Sequence, residues 1–131
     1  MTESLVSLHA LVRWLILGTA ILALGSLVRA RTRGGWDHGA YFWCQAYAWL
    51  LGIQSILGVW LWVVEDRWHG EDAFLSWVHP AVMLVAVGTA HGGLSYAYRQ
   101  RRDPARMNRV ATIVVAGTLA LIAFTIPWLA H

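Results

Sequence analysis

The chain has 131 residues, of which 58% are hydrophobic and 13% are charged, and its formal net charge is +3. Soluble domains carry about 25% charged residues, so this composition argues against an ordinary soluble protein. The positive charge does not indicate nucleic-acid binding, because all ten basic residues are arginines and most of them lie between apolar segments. Cys44 is the single cysteine, which excludes an internal disulfide.

Four long apolar runs follow one another along the chain. They are Leu5–Val28, Tyr41–Val64, Ala73–Tyr98 and Val110–Ala130. Each is about 20 residues or longer, and a helix of that length spans a hydrocarbon core of ~30 Å. The sequence therefore predicts one all-α domain over residues 1–131, a four-helix transmembrane bundle.

Local signals place the ends of these helices. Asp37 or His38 precedes the second run, and Asp72 is suited to cap the third. Pro80 lies early in the third run. Either that helix begins near Ser76, or Pro80 kinks a longer helix.

The charges of the connections predict the orientation of the bundle. The first connection holds Arg29, Arg31 and Arg33 against Asp37, and the third holds Arg99, Arg101, Arg102, Arg106 and Arg109 against Asp103. The second connection holds Glu65, Asp66, Glu71 and Asp72 against Arg67. Because basic loops stay on the cytoplasmic side, both termini and the acidic connection are predicted to lie outside. Tryptophans and tyrosines near both predicted interfaces agree with this orientation.

Small residues recur at helical spacing on two of the runs. They are Ala81, Val85, Gly88, Gly92 and Ser95 on the third, and Ala48, Gly52 and Ser55 on the second. Small residues let helix backbones approach closely inside a membrane. Both stripes are therefore predicted to serve helix packing, although a flat cofactor also needs small neighbours.

Three histidines, His9, His79 and His91, lie inside predicted spans, where an ionisable side chain is costly and usually functional. His9 and His79 lie near the starts of the first and third helices, which run in the same direction. We expect them at similar depth on neighbouring helices, where two imidazoles can bind a haem iron from opposite sides. Imidazole also suits zinc or copper, but zinc usually takes three or four ligands, and no further ones cluster here.

Arg13 follows His9 by four residues, so both side chains lie on one face of the first helix. The other helices offer no carboxylate at that depth. A haem propionate would pair with this guanidinium. The alternative is an arginine that extends to the interface, where rim acids such as Glu3, Glu65 or Asp72 could reach it.

His91 follows His79 by twelve residues, which corresponds to ~18 Å and ~120° on an ideal helix. It therefore cannot bind the same iron as His79. Three roles stay open for it: a hydrogen bond to Gln45, Tyr47, Gln54 or His38, a ligand of a second haem, or a contact to a quinone or a proton relay.

Short motifs link the chain to a known group of proteins. They are Leu8–Trp14, Val78-His79-Pro80, His91 after Gly88, and Ile126-Pro127-Trp128. In this order they resemble small four-helix bacterial membrane proteins labelled cytochrome b-like, over nearly the whole chain. The resemblance implies haem b in the bacterial inner membrane and an association with respiratory electron transfer. Such proteins can carry a histidine where this chain reads Gly52-Ile53-Gln54, and that departure argues against a second haem.

The expected function is that of a small b-type cytochrome or haem-carrying subunit, an electron-transfer protein rather than a stand-alone catalyst. One haem would lie near the outer face between His9 and His79. The alternative is a haem-free accessory subunit that packs against a larger respiratory or photosynthetic complex. Lipid is the expected surrounding, and a homo-oligomer also fits the sequence.

Overall fold

A computed structural model of the chain describes residues 2–69 and 77–125. These residues form four long helices, α1 (Thr2–Arg31), α2 (His38–Val64), α3 (His79–Tyr98) and α4 (Pro104–Thr125). A short 3₁₀ turn, Arg67–His69, follows α2. The predicted all-helical fold is confirmed for this part of the chain.

Three of these helices, α1, α2 and α4, are long and apolar enough to cross a membrane by length and composition. α3 does not meet the same measure. Its second half carries Gly88, Thr89, His91, Gly92 and Ser95, which dilute its apolar residues. Residues 73–76 of the predicted third run lie outside the described residues.

The helix ends agree with part of the local signals. Asp37 has extended backbone, and its Oδ1 accepts a hydrogen bond from the amide of Ala40 at 2.9 Å, so it caps α2. α3 begins at His79 with Pro80 in its first turn, and Trp77 and Val78 before it have π-helical geometry. Residues 70–76 lie outside the described residues, so both a helix that begins near Ser76 and a kink at Pro80 stay predictions. Asp72 lies outside the described residues. α4 begins at Pro104, six residues before the predicted run.

The helices pack in a ring. α1 packs mainly against α2 and α4, and α3 packs mainly against α4 and α2, so α1 and α3 lie diagonally opposite each other. The expectation that α1 and α3 are neighbours is therefore wrong. Across the other diagonal, the Tyr47 hydroxyl lies 2.7 Å from Thr118 Oγ1 in the buried core. Thr118 Oγ1 donates to the Val114 carbonyl, so the Tyr47 hydroxyl donates to Thr118.

The stripe of small residues on α3 does not pack inside this chain. Gly88, Gly92 and Ser95 are exposed, and a Cβ atom added at either glycine would meet nothing within 4 Å. Gly93 makes the close contact instead, because a Cβ there would lie 2.5 Å from Val114 Cγ2 of α4. The predicted packing role of the exposed stripe is therefore wrong within the described bundle.

One end of the bundle, which we call the basic end, contains the connections 32–37 and 99–103 with the adjoining helix ends. Eight of the ten arginines lie there, and all eight are exposed. Asn108 joins α4 to α1 at this end and is 1% exposed. Its Nδ2 donates to the carbonyls of Leu27 and Gly35, both at 2.8 Å. Gly35 has φ of +95°, and a Cβ there would lie 2.9 Å from the Pro104 carbonyl carbon.

Aromatic side chains cluster at both ends of α2. At the basic end Tyr98 packs against Trp36 and Tyr41, with ring centroids 5.9 and 5.2 Å apart. At the opposite end Trp62 packs against Trp68 and Trp77, at 5.3 and 5.5 Å. The helix between Tyr41 and Trp62 is ~31 Å long, which matches the thickness of a hydrocarbon core.

Candidate functional site

His9 is half-buried on α1 and faces α2. The Gln54 amide nitrogen donates to the backbone carbonyl of His9 at 2.9 Å and lies 3.4 Å from His9 Nε2. A Cβ atom on Gly58 would lie 3.4 Å from His9 Cε1. The imidazole therefore packs into the interface between α1 and α2. The sequence analysis considered Gln54 only for His91, although an amide inside an apolar run already signals a buried polar partner.

Arg13 is also half-buried, one helical turn after His9. Its Nε atom is buried and has no hydrogen-bond partner among the described residues. Its guanidinium carbon lies 5.4 Å from the ring centroid of Trp14, an exposed side chain. Among the described residues, Asp37 pairs with Arg29, and no carboxylate is paired with Arg13. A buried guanidinium N–H without an acceptor is costly, which favours a hydrogen-bond acceptor such as an anion beside it.

His91 is exposed on α3 where that helix meets α2. Its Nε2 lies 3.7 Å from where a Gly52 Cβ would stand, and its ring lies 6.3 Å from Trp49 at a right angle. Three of the four suggested hydrogen-bond partners are engaged elsewhere. Gln45 accepts from Tyr98, Tyr47 bonds to Thr118, and Gln54 bonds to His9. The structure therefore leaves His91 at the outer surface of the bundle.

His79 is half-buried and is the first residue of α3. Two residues earlier, Trp77 contacts Trp62 near the end of α2, whereas His9 contacts α2 at Gln54 and Gly58. His9 therefore lies deeper than His79 by about one helical turn, ~6 Å. The expected match in depth is not found, because His9 contacts α2 at Gln54 and Gly58, whereas the chain just before His79 contacts α2 at Trp62, closer to its end.

The donor side chains of the described residues decide which metal or cofactor the bundle could hold. Among the described residues, no group of three or more His, Cys, Asp and Glu side chains is placed to hold a metal ion. Two half-buried imidazoles and a guanidinium do fit the ligand and propionate chemistry of haem b. An apolar groove of about 150 Å³ lies beside the start of α3, lined by Ala81, Val82, Val85 and Leu121. It is smaller than a haem, so a haem would need helices or side chains to move apart.

Comparison with known proteins adds no assignment. The chain matches no protein-family model, and no curated protein or solved structure is significantly similar to it. The functional argument therefore rests on the chemistry of His9, Arg13, Gln54, His79 and His91.

Proposed function

We propose that the four helices cross a membrane, with the basic end on the cytoplasmic side and both termini outside. Two observations support this placement. Aromatic clusters stand at both ends of α2, separated by ~31 Å of helix. Arginines crowd one end only, as expected for cytoplasmic connections. α3, which does not meet the combined length and composition of a membrane span, packs against both α2 and α4.

Within this bundle we propose one haem b, whose iron His9 and His79 would hold and whose propionate Arg13 would pair with. The protein would then be a small b-type cytochrome, or a haem-carrying subunit, of a bacterial inner membrane. The observation that carries the proposal is the buried Nε of Arg13, which lacks a described acceptor one turn from a half-buried imidazole. A propionate supplies both the negative charge and the planar geometry that a guanidinium binds.

The burial of the two histidines of α3 indicates which of them is the better candidate for the second haem ligand. An axial ligand of a haem inside the bundle must face inward, and His79 is half-buried whereas His91 is exposed. His79 is therefore the proposed second ligand. The one-turn offset between His9 and His79 means that α1 or the imidazoles must move when haem binds.

The haem would supply one-electron redox chemistry, and the chain would control its surroundings. His9 and His79 would hold the haem iron in the half of the bundle remote from the basic end. Arg13 would place a positive charge near the haem edge, which favours the reduced state. Gln54 would hold the backbone of α1 at His9 through its 2.9 Å hydrogen bond.

The test is the absorption spectrum of the purified, dithionite-reduced protein after expression with added haem precursor. A six-coordinate haem b spectrum is expected for the native chain. His9→Ala and His79→Ala should each convert it to a high-spin spectrum or abolish it. His91→Ala is the matched control on the same helix as His79, and it should leave the spectrum unchanged. A colourless native preparation would reject the haem proposal.

A second candidate, the haem-free accessory subunit, has one observation in its favour. His9 already packs against Gly58 and receives the Gln54 hydrogen bonds, as a structural histidine would. In that case the chain would pack against a larger respiratory or photosynthetic complex. A colourless protein that co-purifies with redox subunits from a mild-detergent extract of its own membranes would favour this candidate.

A further inference from the structure

The basic end has far more positive charge than its own residues neutralise. Eight exposed arginines face two aspartates, an excess of six positive charges. Both aspartates are already engaged. Asp37 caps α2 and lies 3.5 Å from Arg29, and Asp103 accepts a hydrogen bond from the Arg106 amide at 3.2 Å. Neutralising charge must therefore come from outside the described part of the chain.

Arg31 differs from a freely moving surface arginine because a buried group holds it. Its Nε donates to Asn108 Oδ1 at 3.2 Å. Asn108 is itself fixed by its two 2.8 Å bonds to the carbonyls of Leu27 and Gly35. The two terminal nitrogens of Arg31 have no partner among the described residues and remain on an exposed side chain. A guanidinium held on one edge loses less conformational entropy when its other edge binds an anion.

The level of these arginines in the membrane follows from their neighbours. Trp36, Tyr41 and Tyr98 form the aromatic cluster of this end, and such rings sit among lipid headgroups. Arg31 lies at the end of α1, next to the connection that carries Trp36. Arg106 Nη2 donates to the Tyr96 hydroxyl at 3.2 Å, so a second arginine is held against α3 at the same end. Both guanidiniums therefore stand where phospholipid phosphates lie.

We infer that the basic end binds the phosphate of an anionic phospholipid, with Arg31 as its pre-positioned contact. The partner is argued from charge complementarity: six excess positive charges beside an aromatic headgroup band face a leaflet that contains anionic lipid. The other arginines of the basic end add to this attraction through long-range electrostatics rather than through a positioned contact. The inference depends on the membrane placement of the bundle and not on haem.

The test measures binding of single phosphatidylglycerol molecules to the full chain in neutral detergent by native mass spectrometry, with phosphatidylcholine as the zwitterionic reference. The native chain should prefer phosphatidylglycerol. Arg31→Gln should weaken its binding about tenfold, which corresponds to ~1.4 kcal/mol, close to the lower end of the range for a hydrogen bond to a charged group. Arg33→Gln removes the same charge two residues away, from an exposed arginine whose side chain is not anchored to any described residue, and should stay within twofold of the native affinity. Arg31→Lys should restore only part of the affinity, because lysine keeps the positive charge but lacks the planar set of N–H donors of a guanidinium.

Three results would overturn the inference. The first is equal affinity for the two lipids. The second is an equal loss of lipid affinity in Arg31→Gln and Arg33→Gln, which would show that the arginines act only through long-range electrostatics and not through a positioned contact. The third is displacement of the lipid by millimolar inorganic phosphate at constant ionic strength, which would make a free anion the ligand. Matching melting curves of the two variants would show that neither substitution has unfolded the bundle. Neither lipid binding nor melting depends on haem.

Discussion

Arg13 is the residue whose surroundings say most about the chemistry of the bundle. Its neighbour Trp14 offers an aromatic face, at 5.4 Å from the guanidinium carbon, but no negative charge. A cation–π contact is worth about 0.5–2 kcal/mol, less than the cost of burying an unpaired charge. The side chain is therefore poised either to bind an anion or to extend into water.

Redox titration of Arg13→Gln and Arg13→Lys separates these two roles. If Arg13 pairs with a propionate, Arg13→Gln should lower the midpoint potential and weaken haem retention, because a nearby cation favours the more negative ferrous form. Arg13→Lys should restore only part of the potential, since it lacks the planar fork. Leu11→Gln, a substitution at an exposed position of the same turn, serves as the control. Potentials equal to the native value in both Arg13 variants would remove the propionate role and leave the histidine ligands untouched.

Two adjacent glycines show how packing between elements differs from a pattern of small residues. Gly92 and Gly93 both lie in α3, yet only Gly93 approaches another helix. The sequence analysis placed Gly92 in the packing stripe, because i, i+4 spacing alone does not reveal which side of a helix faces its neighbour. The contact with Val114 across α3 and α4 depends on the rotation of both helices, which no local signal gives.

Gly93→Ala should destabilise the bundle, because its Cβ would lie 2.5 Å from Val114 Cγ2 and the two helices would have to separate. Overpacking of this kind costs about 1–3 kcal/mol. Gly92→Ala meets open space and should be neutral or gain up to ~1 kcal/mol of helix propensity. Thermal unfolding in detergent measures both. The double variant Gly93→Ala, Val114→Ala should recover part of the loss, and no recovery would show that the contact with Val114 is not its cause.

At the scale of the whole molecule, the sequence predicted the class of fold and the charge asymmetry but not the registers of the helices. Apolar runs reveal helices because hydrophobicity is summed over many residues. The relative depth of His9 and His79 depends instead on how α1 and α3 are shifted along α2, which hydropathy does not give. Asn108 lay outside the predicted run for a related reason. α4 begins at Pro104, six residues before the predicted run, because a polar first turn cannot be recognised from hydropathy.

The orientation of the bundle is tested by labelling single cysteines in intact cells with a membrane-impermeant maleimide. Ser4→Cys lies at the end remote from the arginines, and Thr32→Cys lies at the basic end; both positions are exposed and uncharged, so the arginine distribution is preserved. Cys44 is fully buried and serves as the unreactive internal control. Because arginine-rich connections remain cytoplasmic, Ser4→Cys should react in intact cells and Thr32→Cys only after lysis. The reverse pattern would place the basic end outside, and labelling of both positions in intact cells would show that α1 does not cross the membrane.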